Sequence, residues 1–285
     1  MVLRSRGHGR GPHRRTGLAR ADRYRRGRCA ITSGGDPMTV SASPTAPASV
    51  SAAHRVSAHA RWELRLLLRN GEQILVMFVI PLVLLIALTF ARGGDVDGQA
   101  PIVMAVSLMA TCVTSLAIGT GFERRSGALK FLATTPLSRL DLLLAKAVAT
   151  ALLSAISIAA IALVSVLLGW RPVVNIPGAI LAIALGGLAF AAWAVFLAGA
   201  LRAEAVLALA NGIFIVLIVF GGVVIATSAM PGPIGAIIAL LPSAALASAM
   251  TASLSTGAFP GTQLLLLLGW AAIAAFLARR TFTWD

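Results

Sequence analysis

Six long apolar stretches, separated by short polar segments, dominate the chain. They are residues 73–91, 101–121, 147–169, 177–200, 205–227 and 263–279. Most of them reach the ~20 residues that a helix needs to cross a ~30 Å hydrocarbon core. The pattern predicts an all-α polytopic membrane protein with six transmembrane helices. Pro81 lies inside the first span and predicts a kink, which neighbouring helices can tolerate.

A further helix, predicted over residues 54–70, differs from the spans because it is basic and amphipathic. Arg61, Arg65 and Arg69 recur every four residues and form one cationic stripe, and Trp62 suits the headgroup level of a bilayer. The apolar residues of the other side are Val56, Ala60, Leu64, Leu67 and Leu68. Such a helix lies in the plane of the membrane with its arginine stems snorkelling, so we predict an N-terminal interfacial helix.

The segment between the fifth and sixth spans, residues 228–262, is apolar but carries four prolines. Its apolar stretches, residues 234–241 and 244–254, are each too short to cross a bilayer. We predict two short helices that dip into the outer leaflet or cap the bundle. A loosely ordered apolar loop is the alternative.

The distribution of positive charge predicts the orientation of the bundle. After Met38, the segments on one side of the six spans contain twelve Lys and Arg, whereas the other side contains only Arg92 and Arg171. The side richer in Lys and Arg faces the cytoplasm in most membrane proteins. Both termini are therefore predicted to be cytoplasmic.

The composition agrees with a membrane protein, since 58% of the residues are hydrophobic and 12% are charged, against about a quarter charged in soluble domains. The net charge of +14 is concentrated in a tail, because residues 1–37 contain ten Arg and two Asp and so contribute +8. The excess therefore does not indicate binding to nucleic acid.

The tail, residues 1–37, is rich in Arg and Gly and has no apolar periodicity, so it is predicted to be disordered. A basic arm that binds RNA or lipid and a transit peptide are two interpretations. We favour a third, in which the native chain starts at Met38. Residues 38–52 are then a flexible leader, and residues 53–285 are the membrane domain.

The residues for several kinds of chemistry are missing from the sequence. Neither Lys130 nor Lys146 lies in a nucleotide-binding G-x-x-x-x-G-K-[ST] loop, and the four His all precede the first span. No ionisable residue is expected at mid-depth, where ion-coupled carriers generally need one. Polar residues inside the spans could bond helices together or line a path: Ser107, Thr111, Thr114, Ser115, Ser154, Ser157, Ser165 and Asn211. A protein without its own source of energy must take it from a partner.

The longest polar connection, residues 122–146, contains five Lys and Arg and two acids. Leu129 and Leu132 lie on an apolar stripe beside those charges, and Pro136 is expected to end a short helix. A second helical run is predicted from Leu137 into the third span. The connection is therefore predicted to carry a short amphipathic helix on the cytoplasmic side, on which a soluble partner pushes.

This connection resembles that of the ABC type-2 transporter permeases, the membrane subunits of bacterial ABC exporters. The matching residues are Glu123, Gly127-Ala128-Leu129-Lys130, Leu132, Thr135-Pro136-Leu137-Ser138, Leu142-Leu143 and Lys146. Arg69-Asn70, Pro81, Leu241-Pro242 and the terminal Phe282-Thr283-Trp284-Asp285 are further matches. The resemblance covers residues 53–285.

The resemblance implies a homodimer or heterodimer of six-span subunits above two separate ATPase subunits. It implies that residues 123–134 form a coupling helix seated in a cleft of the ATPase. Glu123, Arg124 and Lys130 would make polar contacts there, Leu129 and Leu132 would fill the cleft, and Pro136 would fix the turn. The implied coupling residues are Glu123, Arg124, Gly127, Leu129, Lys130, Leu132 and Pro136. Helix caps, headgroup contacts and solvated charges are the alternative role for each of them.

The function expected from the resemblance is export of a hydrophobic drug-like or lipid substrate across the bacterial plasma membrane. ATP is bound by the partner subunit, so no cofactor of the chain itself is expected, and membrane lipids are further partners. Glycan exporters share the architecture. A self-contained secondary carrier or channel and a membrane scaffold for an enzyme complex are alternatives from other classes.

Overall fold

The computed structural model describes residues 51–128, 138–220 and 232–281, which form helices and contain no strand. Two helices contain a π-helical stretch in the middle, and a third ends in one. In chain order the helices are α1 Ala52–Arg69; α2, made of Gly71–Ile74, the π-helical Leu75–Val79 and Ile80–Ala91; α3, made of Val96–Cys112, the π-helical Val113–Ile118 and Gly119–Ser126; α4 Arg139–Leu167; α5 Ile176–Ala200; α6 Ala203–Phe220; α7 Pro233–Ala239; α8, made of Pro242–Thr251 and the π-helical Ala252–Thr256; and α9 Gly261–Thr281.

Four of the described helices, α3, α4, α5 and α9, are long and apolar enough to cross a membrane. Helices α7 and α8 meet at 82° and make a fifth candidate if they are counted as one broken span. The predicted first and fifth spans correspond to shorter apolar helices, Leu75–Ala91 and Ala203–Val219. The predicted all-α, multi-pass membrane protein is thus confirmed, and the count of six spans stays a prediction.

The polar connection is shorter than the sequence predicts, because α3 continues to Ser126. The first residues of the predicted coupling helix, 123–126, are therefore the last turn of α3 rather than the start of a separate helix. The second helical run begins close to its predicted start, at Arg139. Ser138 caps it, since its Oγ accepts a hydrogen bond from the Asp141 N–H at 3.1 Å and the Asp141 carboxylate accepts one from the Ser138 N–H at 3.2 Å.

Pro81 explains how α2 makes contact with two neighbouring helices. The proline nitrogen has no hydrogen, so the carbonyl of Met77, four residues earlier, has no donor at that position. Ser157 of α4 donates to this carbonyl at 2.7 Å, and the Ser107 hydroxyl of α3 lies 3.4 Å from it and 2.6 Å from Ser157 Oγ. Hydroxyls of adjacent helices thus satisfy the backbone group that proline leaves exposed, as membrane interiors require.

Helix α3 lies at the centre of the bundle. Of its apolar 18-residue stretch, 72% is buried inside the bundle, whereas the corresponding stretches of the other three candidate spans are only 28–33% buried. Helix α8 packs against α3, α5 and α9, and its Leu246 is fully buried. Gly186 of α5 makes this packing possible, because a Cβ at that position would lie 2.6 Å from Leu246 Cδ1. The close approach is the role expected of small residues in membrane helices.

The two short helices predicted between the fifth and sixth spans are present as α7 and α8. The Nε1–H of Trp270, near the middle of α9, donates to the carbonyl of Leu240 at 2.8 Å, so the corner between α7 and α8 lies at mid-depth of the bundle. The other end of α8 meets the start of α5, where the N–H groups of Val173 and Asn175 donate to Leu254 and Ser253 at 3.1 and 2.7 Å. Helix α8 therefore spans about half the depth of the bundle.

Gly186→Ala is expected to destabilise the protein by roughly 1–3 kcal/mol, because its new methyl group overpacks against the buried Leu246. Gly212→Ala in α6 is the matched control, since a Cβ there meets nothing within 4 Å. It should raise stability by up to ~1 kcal/mol through helix propensity. Thermal unfolding of both variants in detergent measures the difference. Equal effects of the two substitutions would contradict the packing described for α5 and α8.

Candidate functional site

The last turn of α3 ends at Gly127, whose backbone has a left-handed conformation with φ of +77°. The Gly127 N–H donates to the carbonyl of Arg124 at 3.3 Å. Glycine favours this C-terminal position because it has no Cβ to clash there. Glu123, Arg124 and Gly127 of the predicted coupling set therefore share one helix end. The other predicted members lie outside the described residues: Leu129, Lys130, Leu132 and Pro136.

Lys146 joins three helices through a buried cluster of charges. Its side chain is 1% exposed, and its Nζ donates to Glu63 Oε1 of α1 at 2.6 Å and to Glu123 Oε1 of α3 at 2.7 Å. Lys146 itself lies on α4, about two turns from the start of the helix. A buried charge is tolerated only when it is paired and hydrogen-bonded. The ammonium group therefore holds α1 and the end of α3 against α4.

A second ion pair joins α1 to the first turn of α4. Arg55 donates to Asp141 Oδ2 through Nη2 at 2.9 Å and through Nε at 3.2 Å. The same carboxylate accepts the Ser138 N–H of the helix cap. Helix α1 is thus attached to α4 at two points, Arg55 near its start and Glu63 about two turns later.

The face that α1 turns towards α4 differs from the predicted one at two positions. Glu63 is buried on it, together with Ala60, whereas Leu68 is 41% exposed. Sequence reasoning placed the apolar face correctly at Val56, Ala60, Leu64 and Leu67, which are buried or half-buried. It did not identify Glu63 as a functional candidate. The spacing of Glu63 could have identified it, because it follows Ala60 by three residues and precedes Leu67 by four. This spacing places an acid on the apolar face of a basic helix.

His59 lies beside the Lys146 cluster without a hydrogen bond to it. Its Nε2 is 4.0 Å from Glu63 Oε2, and neither atom has a hydrogen-bond partner among the described residues. Burial lowers the pKa of the His59 imidazole below its ordinary value of 6.5, the Glu63 carboxylate acts in the opposite direction, and the Lys146 ammonium lowers the pKa further. The neutral imidazole is therefore the form that the folded protein favours.

Arg124 and Arg125 connect the end of α3 to the α5–α6 corner. Arg124 Nη1 donates to the carbonyl of Gly199 at 2.9 Å and to that of Ala198 at 3.4 Å, which satisfies two carbonyls at the C-terminus of α5. Arg125 forms an exposed ion pair with Glu204 of α6. Arg124, predicted as a contact to a partner, thus has a helix-capping role within the chain itself.

These contacts define the candidate site as the Lys146 end of the bundle, formed by α1, the last turn of α3, the start of α4 and the α5–α6 corner. Helix α4 and the α5–α6 corner bond directly to the last turn of α3, whereas α1 is bonded to it through Lys146 of α4. The arrangement has no catalytic chemistry of its own that we can identify in the described residues. Its property is mechanical, because displacement of the end of α3 must move or break the Glu123–Lys146 and Arg124–Gly199 bonds.

Lys146→Met is expected to destabilise the protein by about 3–5 kcal/mol, because it leaves the buried Glu63 carboxylate and the partly buried Glu123 carboxylate without a cation. Adding Glu63→Gln and Glu123→Gln to this variant should recover most of the loss, since it removes the uncompensated charges. Arg65→Met, which removes an exposed cation of α1, is the control and should change stability by less than about 0.5 kcal/mol. Thermal unfolding in detergent tests all three. No recovery in the triple variant would contradict the electrostatic role of Lys146.

Acidification is expected to weaken the docking of α1. The pKa of His59 is lower in the folded protein than its ordinary value of 6.5. Below pH 6.5 the unfolded chain therefore binds more protons than the folded protein does. The free energy of unfolding decreases as the pH falls, until the folded-state pKa is reached. His59→Gln should remove this contribution. Melting temperatures of both proteins from about pH 8 to about pH 5 provide the comparison. A melting-temperature difference that is independent of pH would refute the lowered pKa.

The family model of the ABC-2 type transporter matches residues 55–254, which includes α1 to α8 except for the first residues of α1 and the last of α8. No curated protein matches the chain. The match contains the whole Lys146 cluster. The chain therefore belongs to the ABC-2 type transporter family and is a membrane-embedded, multi-pass transporter component.

Proposed function

We propose that the chain is the permease subunit of an exporter that moves a hydrophobic drug-like or lipid substrate out across the bacterial plasma membrane. A separate ATPase subunit would supply the energy by hydrolysing ATP. Membership of the family supports a partner ATPase, since permeases of this family normally work with one. The observation that carries the proposal is the junction of three helices at Lys146.

The junction suits the transmission of force from a partner to the bundle. Residues 127–138 connect α3 to α4, and the last turn of α3 is bonded directly to α4 through Glu123 and Lys146. A push on the connection would act on α3, which is the central helix of the bundle. The same push would act on α1 through Glu63 and Arg55. Coupling between distant sites is carried by such chains of packed and bonded elements.

The coupling residues would then divide into two groups. Glu123 and Arg124 bond within the chain and would transmit movement, whereas Leu129, Lys130 and Leu132 would contact the ATPase. Gly127 would separate the two groups as the left-handed end of α3, and Pro136 would fix the turn before α4. This division refines the expectation that Glu123 and Arg124 contact the partner directly.

The orientation and the assembly are part of the proposal. The excess of Lys and Arg on one side of the spans supports a cytoplasmic Lys146 end and two cytoplasmic termini. Helix α1 would lie at the membrane interface, with Trp62, which is 53% exposed, at the headgroup level. Two permease subunits, identical or related, would stand above two ATPases, and the permease would bind no nucleotide itself.

Gly127→Pro is expected to abolish substrate-stimulated ATP hydrolysis and efflux by the complex of this chain with its ATPase, with at least a roughly ten-fold loss of both. Proline fixes φ near −65°, so it cannot adopt the positive φ of this position or donate the Gly127 N–H. Leu129→Asp should give the same loss by placing a charge in the proposed contact with the ATPase.

Gly93→Pro is the matched control for Gly127→Pro. Gly93 has φ of +69° and its N–H donates to Phe90 at 3.3 Å, but it follows α2 at the end of the bundle opposite to Lys146. Gly93→Pro should destabilise the protein about as much as Gly127→Pro does. The fraction of Gly93→Pro that folds should still couple ATP hydrolysis to efflux. Normal efflux in Gly127→Pro and Leu129→Asp would overturn the proposal. Transport by the purified chain alone, driven by an ion gradient, would favour the secondary carrier.

A further inference from the structure

A cleft of about 450 Å³ opens on the side of the bundle between α4 and α5. Helix α3 forms its floor with Leu108 and Cys112, and the Cys112 thiol lies 3.7 Å from the carbonyl of Gly187 across that floor. The cleft exists because its walls are built from small residues: Ala147, Ala151, Ala184, Gly187 and Ala191. Cavities of 300–1,000 Å³ are typical of sites for small molecules.

Ser154 contributes a polar group to the lining of the cleft that nothing else in the described chain satisfies. Its side chain is 1% exposed, and its Oγ has no hydrogen-bond partner among the described residues. It lies fourteen residues after Leu140 and thirteen before Leu167, at the middle of the span. Water cannot reach a hydroxyl at that depth through lipid, and an unsatisfied buried hydroxyl costs about 1–3 kcal/mol.

The other two serines of α4, unlike Ser154, have hydrogen-bond partners. Ser157 donates to the carbonyl of Met77, and Ser165 donates to the carbonyl of Ile161 at 2.8 Å. Thr150, one helical turn before Ser154, is also buried and lines the cleft. The α4 wall therefore presents hydroxyl groups in an otherwise apolar site, which is the pattern that orients a bound small molecule.

We propose that this cleft binds a lipid-soluble molecule that carries a hydrogen-bond acceptor, and that Ser154 donates to that acceptor. A lipid acyl chain would fill the space but leaves the hydroxyl unsatisfied. A helix from a second copy would bury the small residues, but its backbone acceptors are already used within the helix. The exposed Ala147, Ala151 and Ala184 leave the cleft open to the hydrocarbon phase, so the molecule enters from the membrane.

The cleft can bind such a molecule whether or not the proposed function is correct. Only the further step, transport of the bound molecule, rests on the proposed function. The test therefore uses the full-length chain alone, in phosphatidylcholine nanodiscs, without an ATPase. Benzophenone is the probe, because it is an apolar ketone with one carbonyl acceptor and attaches covalently to nearby C–H bonds on irradiation. Mass spectrometry locates the labelled residues, and labelling is followed over a range of probe concentrations.

Saturable labelling is expected within residues 147–154 and 184–191. Ala184→Leu places a larger side chain in the mouth of the cleft and should reduce the saturable part at least about ten-fold. Because Ala184 is exposed, this variant should insert and fold normally. Ser154→Ala should raise the half-saturating concentration about five-fold, which corresponds to the loss of one hydrogen bond. Ser165→Ala, which removes a hydroxyl outside the cleft from the same helix, should leave labelling unchanged.

Labelling that rises linearly with concentration, or that Ala184→Leu does not reduce, would overturn the site. Equal half-saturating concentrations in wild type and Ser154→Ala would overturn the role of the hydroxyl. Cross-links between two copies through the cleft, if benzophenone does not displace them, would show that the cleft is a dimer contact instead. Saturable labelling together with normal efflux in Gly127→Pro and Leu129→Asp would leave the site intact and remove its assignment to export.

Discussion

A buried ammonium group must have its charge compensated within the protein, and at Lys146 this requirement fixes the arrangement of one end of the molecule. The two carboxylates that compensate it come from different helices, Glu63 from α1 and Glu123 from α3. Loss of Lys146 would leave both carboxylates without a cation. The positions of α1, α3 and α4 at this end therefore depend on one another, and a change in any of them reaches the connection between α3 and α4.

The same requirement for internal partners explains the polar contacts elsewhere in the bundle. Pro81 leaves the carbonyl of Met77 without its helical donor, and Ser157 replaces that donor from another helix. Arg124 supplies donors to the last carbonyls of α5. Each such replacement joins two helices, so the irregular points of the backbone become the points where the helices are held together.

The sequence predicted the helical class and four of the spans, because these depend on apolar length and period alone. It did not predict the Lys146 cluster, since Glu63 and Glu123 are sixty residues apart and meet only through the packing of α1 on α4. The resemblance implied a separate helix that starts at Glu123, whereas the charges there pair or cap within the bundle and α3 continues to Ser126. Pairing between distant residues has no periodic signal in the chain.

The π-helical stretch Val113–Ile118 has a consequence for the direction in which Glu123 points. A π turn holds one residue more than an α turn, and one residue corresponds to about 100° of rotation about the helix axis. The two halves of α3 are therefore out of phase, and a helical wheel drawn through the whole of α3 assigns Glu123 to the wrong side. Loss or gain of a single residue in this stretch would rotate the Glu123 carboxylate away from Lys146, although Glu63, Glu123 and Lys146 themselves stay unchanged. The length of α3 is therefore as important to the junction as its composition.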